Sequence, residues 1–345
     1  MNTFEVSYVT TQPKQGNAPR VTIRGDVDEI YRVDFKEVNG DILSSGTCKT
    51  NQVIIANIRQ WYVKWHILVY DSKNNLVYQD IFNPNGKVVF IKMDAFALGD
   101  NIAWIPYVEE FRIRNKCQVI CSTFYNDLFL KTYPNILFVE PNTYVGNVYA
   151  QYYIGAMDEP NYVYAPFMCK VGNLQYLASK TLGVSDAGEV RPPLENGFQH
   201  LTSPSGRYVT LSEFGSSKDK EWKDEGGWQK IVDFLNNKGY QVVVISKEPT
   251  KLFNVIDKTG DIPLVERVAD IKGSQFHLGI SSGLSWLAWG LGKNVVMISD
   301  TTPKWHEFSS NIVRFGGDNL TEVNYLVEDQ TKAEDVIKTL DLIAV

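Results

Sequence analysis

The chain has 345 residues, 44% hydrophobic and 21% charged, with a formal net charge of -6. That length allows two or three cores of ordinary size. The acidic balance, with no stripe of Lys and Arg, excludes a general nucleic-acid binder, whose phosphate contacts need clustered cations. No basic start leads into an apolar run, and no window is as long and apolar as a membrane-spanning helix. The expectation is therefore a cytoplasmic protein with no membrane span.

In chain order, the first stretch carries strand signals: VTIRG (21–25), YRVDF (31–35), QVIIANI (52–58), WYVKWHILVYD (61–71) and LVYQDIF (76–82). These β-branched and aromatic runs, punctuated by Asn, Gly, Asp and Ser, predict a small all-β barrel or sandwich over 1–85. Trp61, Tyr62 and Trp65 read either as its core or as a surface for docking an acceptor protein. Asp26 and Asp28 form a D-x-D pair, but between two strands of this module they read as a turn rather than a metal site.

From Gly86 the pattern alternates between strand and helix. KVVFIKM (87–93) is followed by a helix beginning at Asp100, with Ile102, Ile105, Val108 and Phe111 at helical spacing. CQVICST (117–123), a helix near 126–132 and ILFVE (136–140) continue the series. The stretch 145–205 reads as irregular, and the prolines of VRPPLENG (190–197) suit a crossing between domains. A second series then runs through RYVTLS (207–212), a helix over 227–239, QVVVIS (241–246), a helix over 262–273, FHLGIS (276–281), a helix over 282–292 and NVVMIS (294–299). KAEDVIKTLDLI (332–343) is a final amphipathic helix. Strand and helix in alternation mean parallel sheets, so the prediction is an α/β protein. It has two Rossmann-like domains, 86–200 and 201–345, with a ligand cleft at the carboxyl ends of their strands.

Cys48, Cys117, Cys121 and Cys169 are scattered and read as reduced, buried thiols. Cys117 and Cys121 lack a second pair at ligand spacing, and the four histidines form no metal motif.

Three clusters fall at strand carboxyl ends. Asp100, after the first strand of the α/β part, reads either as a helix cap or as a base that accepts the proton of an attacking hydroxyl. Ser281, Ser282 and Gly283 open a helix, where backbone N–H groups suit either a simple cap or a diphosphate. SEFGSSKDKEW (212–222) offers Ser216, Ser217 and Lys220, either as a solvated loop or as a cationic partner for a leaving diphosphate.

The residues LGDNIAWIPYVEEF, SSKDKEWKDEGGW and ISSGLSWLAWGLGKNVVMIS, in this order, resemble the heptosyltransferases of glycosyltransferase family nine. Within that group the chain is most similar to the autotransporter O-heptosyltransferases, over roughly residues 20 to 300. These also carry an amino-terminal β domain and a junction like Glu189-Val190-Arg191-Pro192-Pro193. The resemblance implies a GT-B fold and an inverting, metal-independent transfer from ADP-heptose to Ser or Thr of a protein, with Asp100 as the base. It implies donor contacts at Lys220, at Trp222, at Glu248 for the ribose, at Ile262 for the base, and along Ser281, Ser282, Gly283 and Leu284. Ser281 stands where the family has an acid, and Trp286 where it has a His. No cysteine follows Cys169, so the branch's iron finger is expected to be missing and no cofactor is expected. An oligomer is compatible with the resemblance. Two alternatives stay open: transfer to a lipopolysaccharide or other glycan, and a non-catalytic nucleotide-sugar binding protein.

Overall fold

A computed structural model describes residues 1–9, 18–57, 62–154, 173–321, 324 and 330–343. Among these residues seven strands come first: β1 (Thr3–Ser7), β2 (Arg20–Arg24), β3 (Ile30–Glu37), β4 (Ile42–Lys49), β5 (Val53–Ile55), β6 (Trp65–Tyr70) and β7 (Leu76–Ile81). They build two antiparallel sheets, ordered β1-β2-β5 and β4-β3-β6-β7. In β6 the alternation is strict: Trp65, Ile67 and Val69 are fully buried, while the residues between them are half-buried. β1 and β4 lack a sequence signal because polar residues interrupt their apolar ones, and only Cys48 among them is buried. Trp65 meets Phe35 edge-on at 6.5 Å, and Tyr62 packs on Phe82 and Tyr152. These two rings therefore belong to the interior, and Trp61 lies outside the described residues. Asp26 and Asp28 sit exposed in the bend between β2 and β3.

The first parallel sheet contains β8 (Val88–Met93), β9 (Gln118–Thr123), β10 (Ile136–Val139) and β11 (Ala150–Tyr153), ordered β10-β9-β8-β11. Its helices are α1 (Leu98–Asn115), α2 (Asn126–Phe129) and α3 (Leu174–Thr181). The stretch expected to be irregular thus contributes a strand and a helix. β11 is short and is defined by its parallel pairing with β8 rather than by an apolar run. Tyr8 bridges to Ala150 and donates to Asp80, tying the β module to this edge.

Ile102, Ile105, Val108 and Phe111 of α1 are completely buried, and so are Ala103 and Trp104. A helix buried nearly all round must have protein on every side. One side of α1 faces the sheet, and its other neighbours are α3 and a helix of the second half. The indole of Trp104 donates to Leu174 O at 3.1 Å, and the hydroxyl of Tyr107 donates to Gln175 Oε1 at 3.2 Å.

The second parallel sheet has, among the described residues, six strands: β12 (Tyr208–Ser212), β13 (Gln241–Val244), β14 (Ile256–Asp257), β15 (His277–Ile280), β16 (Val295–Ile298) and β17 (Ile312–Phe315). Their order is β14-β13-β12-β15-β16-β17. The helices are α4 (Gly227–Asn237), α5 (Leu264–Gly273), α6 (Gly283–Gly290) and α7 (Ala333–Ile343). The sequence reading closed this sheet at β16. The additional edge strand β17 is half-buried along its length and carries Arg314, so it lacks the apolar run of a central strand. His277 is fully buried on β15 between Thr210 and Ser212, each at 3.1 Å, and burial pushes its imidazole down to about 3.

The Glu-x-Arg-Pro junction clamps the crossing to the second half. Glu189 accepts from the backbone N–H of Ser309 and, at 3.0 Å, of Ser310, whose hydroxyl also donates at 2.6 Å. Arg191 pairs with Glu195 and donates to Gly290 O at 3.0 Å. Replacing Glu189 with Ala removes three charge-assisted hydrogen bonds at a solvated site. The expected cost is about 1 kcal/mol of unfolding free energy in urea titration. Glu189→Gln, which keeps an amide oxygen, should lose less.

Candidate active site between the two parallel sheets

A cavity of about 310 Å³ opens where the carboxyl edges of the two sheets meet. In the second sheet the strand order reverses between β12 and β15. That is the switch point at which doubly wound sheets bind ligands, because the loops on either side diverge there. The loop after β12 contributes Phe214, Gly215, Ser216 and Lys220, and the turn after β15 contributes Ser281 to Leu284. Lys247 and Glu248 enter from the end of β13, and residues Phe96 to Asp100 from the first half.

The first-half wall depends on the start of α1. Its N-cap is Ala97, which has no side chain to cap with, so Asp100 is the helix's third residue rather than its cap. A carboxylate in the first turn is still favoured by the helix dipole. Asp100 is half-buried and lines the cavity. The next residue, Asn101, is fully buried and holds the preceding loop by donating to Ala95 O at 2.8 Å and Ala97 O at 2.9 Å. Burial, and then the charge of Asp100, raise the Tyr125 hydroxyl above its ordinary range.

Glycines let the two halves touch. A Cβ on Gly99 would lie 2.9 Å from Cδ1 of Trp286, and one on Gly283 would lie 2.9 Å from Cβ of Leu98. Trp286 is itself hemmed in, with Phe308 packed edge-on at 5.0 Å and Trp289 at 5.5 Å. The starts of α1 and α6 therefore face the same cavity.

On the second-half wall Ser282 is the N-cap of α6, and its hydroxyl is buried without a hydrogen-bond partner. Ser281 donates to Glu307 at 2.5 Å, and Glu307 also accepts from Thr302 at 3.0 Å and pairs with Arg314. Burial pushes the Arg314 guanidinium down to about 10, which leaves it charged at neutral pH.

Of the residues singled out from sequence, Asp100, Ser216, Lys220, Glu248, Ser281, Ser282, Gly283 and Leu284 converge on this cavity. Ser217, Trp222 and Ile262 do not line it. Trp222 is buried, donates to Thr331 O at 2.8 Å and packs edge-on with Trp228. Ile262 lies two residues before α5, whose N-cap is Pro263. Residues that sequence reasoning passed over also line the cavity, including Tyr125, Leu174, Lys247 and His306. For His306 the available signal was its position after a parallel strand, β16. Phe96 stacks on Phe124 at 4.1 Å beside the cavity and is exposed.

Two facing Rossmann-like parallel sheets with a cleft between them define a GT-B glycosyltransferase. No family model matches the chain. The autotransporter heptosyltransferase Aah of Escherichia coli is 31% identical over 287 residues, covering 79% of this chain and 72% of Aah. BimC of Burkholderia thailandensis, an inactive autotransporter heptosyltransferase, is 29% identical over 274 residues, covering 74% of this chain and 63% of BimC. Among solved structures, TibC of enterotoxigenic E. coli aligns with a TM-score of 0.80 at 20% identity, over 99% of this chain and 95% of TibC. TibC is a dodecameric, iron-containing heptosyltransferase captured with ADP-D-β-D-heptose. A glycosyltransferase of family 9 from Veillonella parvula aligns with a TM-score of 0.56 at 13% identity, over 76% of this chain and 98% of that one. The chain belongs to the autotransporter heptosyltransferases and is a glycosyltransferase.

The expectation of a cofactor-free enzyme is overturned by this comparison, because TibC, alike in fold over nearly the whole chain, contains iron. A count of cysteines after Cys169 could not decide the matter. Among the described residues, no group of three or more His, Cys, Asp or Glu is arranged to hold a metal. Cys48, Cys117 and Cys121 are buried and unpaired, and burial raises the thiols of all three. These residues do not fit an iron site, and Cys169 lies outside the described residues. No described helix is long and apolar enough to cross a membrane.

The Gly99 contact yields a test. In Gly99→Ala the new methyl must displace either Trp286 or the first turn of α1. The expected cost is about 1–3 kcal/mol in denaturant titration, with turnover falling because Asp100 moves with that turn.

Proposed function

We propose that this protein is a cytoplasmic, inverting heptosyltransferase that moves the sugar of ADP-heptose to a Ser or Thr hydroxyl of an autotransporter-type protein. In this reading Asp100 takes the proton of the acceptor hydroxyl, whose oxygen attacks the anomeric carbon from the face opposite the diphosphate. The C–O bond to the diphosphate breaks, and Lys220, Ser216, the Ser282 hydroxyl and the N–H groups at the start of α6 receive the charge. Protein groups rather than a metal ion thus take the charge of the leaving group. Glu248 binds the ribose. The division is 1–85, 86–200 and 201–345, with the β module serving the acceptor and the stacked Phe96 and Phe124 flanking its approach.

The observation that carries the reading is the convergence on one cavity. A carboxylate at the start of α1 faces a lysine and a helix N-terminus at the switch point of the opposite sheet. The acceptor class is supported by Aah, an autotransporter heptosyltransferase, and the donor by the ADP-D-β-D-heptose bound to TibC.

Asp100→Asn keeps the size of the side chain and removes the base. Turnover with ADP-heptose should fall by about 10²-fold or more while the Kd for ADP stays within about twofold. In Lys220→Ala the Kd for ADP should rise by roughly tenfold. Unchanged turnover in the first variant, or unchanged ADP affinity in the second, removes that residue from its role. Mass spectrometry of an autotransporter passenger co-expressed with the enzyme should show heptose-sized increments on Ser or Thr peptides. Increments confined to a lipopolysaccharide fraction would move the acceptor to glycan.

A further inference from the structure

The second sheet sets the order of its loops along the cleft. Glu248 follows β13, Lys220 follows β12, Ser281 to Gly283 follow β15, and His306 lies between β16 and β17. Glu248 and His306 therefore mark opposite ends of an edge three strand spacings long, about 14 Å. That is the span of an extended nucleotide sugar. With the nucleoside at the Glu248 end and the diphosphate over Lys220 and Gly283, the glycosyl unit falls at the β16 end.

His306 is only 8% exposed, yet it lines the cavity, and its Nδ1 is buried with no hydrogen-bond partner. Leaving such an atom unsatisfied is costly unless a ligand completes it. Burial, together with the positive charges of Lys220 and Arg314, pushes the imidazole down to about 3, so the ring is neutral at physiological pH. A neutral imidazole carries one N–H and one lone pair. A diphosphate only accepts hydrogen bonds, whereas a sugar hydroxyl both donates and accepts.

The backbone that carries the ring is also anchored. His306 N donates to Pro303 O at 3.0 Å, and His306 O accepts from Leu174 N at 3.3 Å. The next two residues are anchored as well, Glu307 by Ser281, Thr302 and Arg314, and Phe308 by stacking on Trp289 at 4.7 Å.

We propose that His306 hydrogen-bonds a hydroxyl of the donor's glycosyl unit and so determines which sugar the enzyme accepts. The inference rests on the reading of the cleft as the nucleotide-sugar site. It is tested by calorimetric titration of the full chain with ADP and with ADP-D-β-D-heptose, using wild type, Lys220→Ala, His306→Phe and His306→Asn. The expected result is an ADP-heptose Kd about tenfold weaker in His306→Phe, an ADP Kd within twofold of wild type, and partial recovery in His306→Asn, whose amide mimics the ring nitrogen. Retained ADP binding also shows that the variants are folded. Unchanged ADP-heptose affinity in His306→Phe overturns the proposal, and so does equal weakening or loss of both ligands in the two His306 variants. A wild type that binds neither ligand, or ADP affinity unmoved by Lys220→Ala, instead overturns the donor-site reading, and this proposal falls with it.

Discussion

The contact between α1 and α6 sets the geometry on which everything else depends. Gly283 and Gly290 lie seven residues apart on one face of α6. The first sits against Leu98 and Gly99, the second against Leu194 and Ile102. With no side chains at these points the helices approach closely, and each helix start ends in the same cavity. The spacing of the two sheets is thus held by packing that larger residues would disrupt. Two positive helix ends in one cleft also make it favourable for anionic groups.

The departures from the family motif at Ser281 and Trp286 make sense together with the 303–308 segment. Glu307 is buried where it accepts the hydroxyl of Ser281 and pairs with Arg314. An acid at position 281 would bring a second carboxylate against the first, a like-charge contact that burial makes worse. Ser281 avoids the repulsion and supplies a donor. Trp286 fills the space between Gly99, Trp289 and Phe308. A polar side chain at this end of the cavity, His306, comes from the loop after β16.

Activity varies within the family to which this fold belongs. TibC carries iron, whereas the described residues here present no grouping that would hold it. Aah is a heptosyltransferase and BimC an inactive one, at similar identities to this chain. Likeness of sequence alone therefore does not decide activity, and Asp100 and Lys220 are the side chains on which the proposed reaction turns.

The alternation of apolar runs with helical spacing was enough to read two parallel sheets, because central strands and the buried face of α1 need continuous apolar residues wherever they occur. The same logic located Asp100, Lys220 and Gly283 at carboxyl edges, since loop position follows from element order. β11, β17 and α3 escaped, because edge strands and short helices take their stability from neighbours distant in sequence. Local pattern also read Asp100 as a cap, whereas Ala97 holds that position, and for His306 it offered only its place after β16. Whether Trp222 and Ile262 line the cleft, which residues face Ser281, and why position 99 is a glycine were decided only by tertiary packing. Each of those answers is a contact between segments tens to hundreds of residues apart, and no local periodicity encodes it.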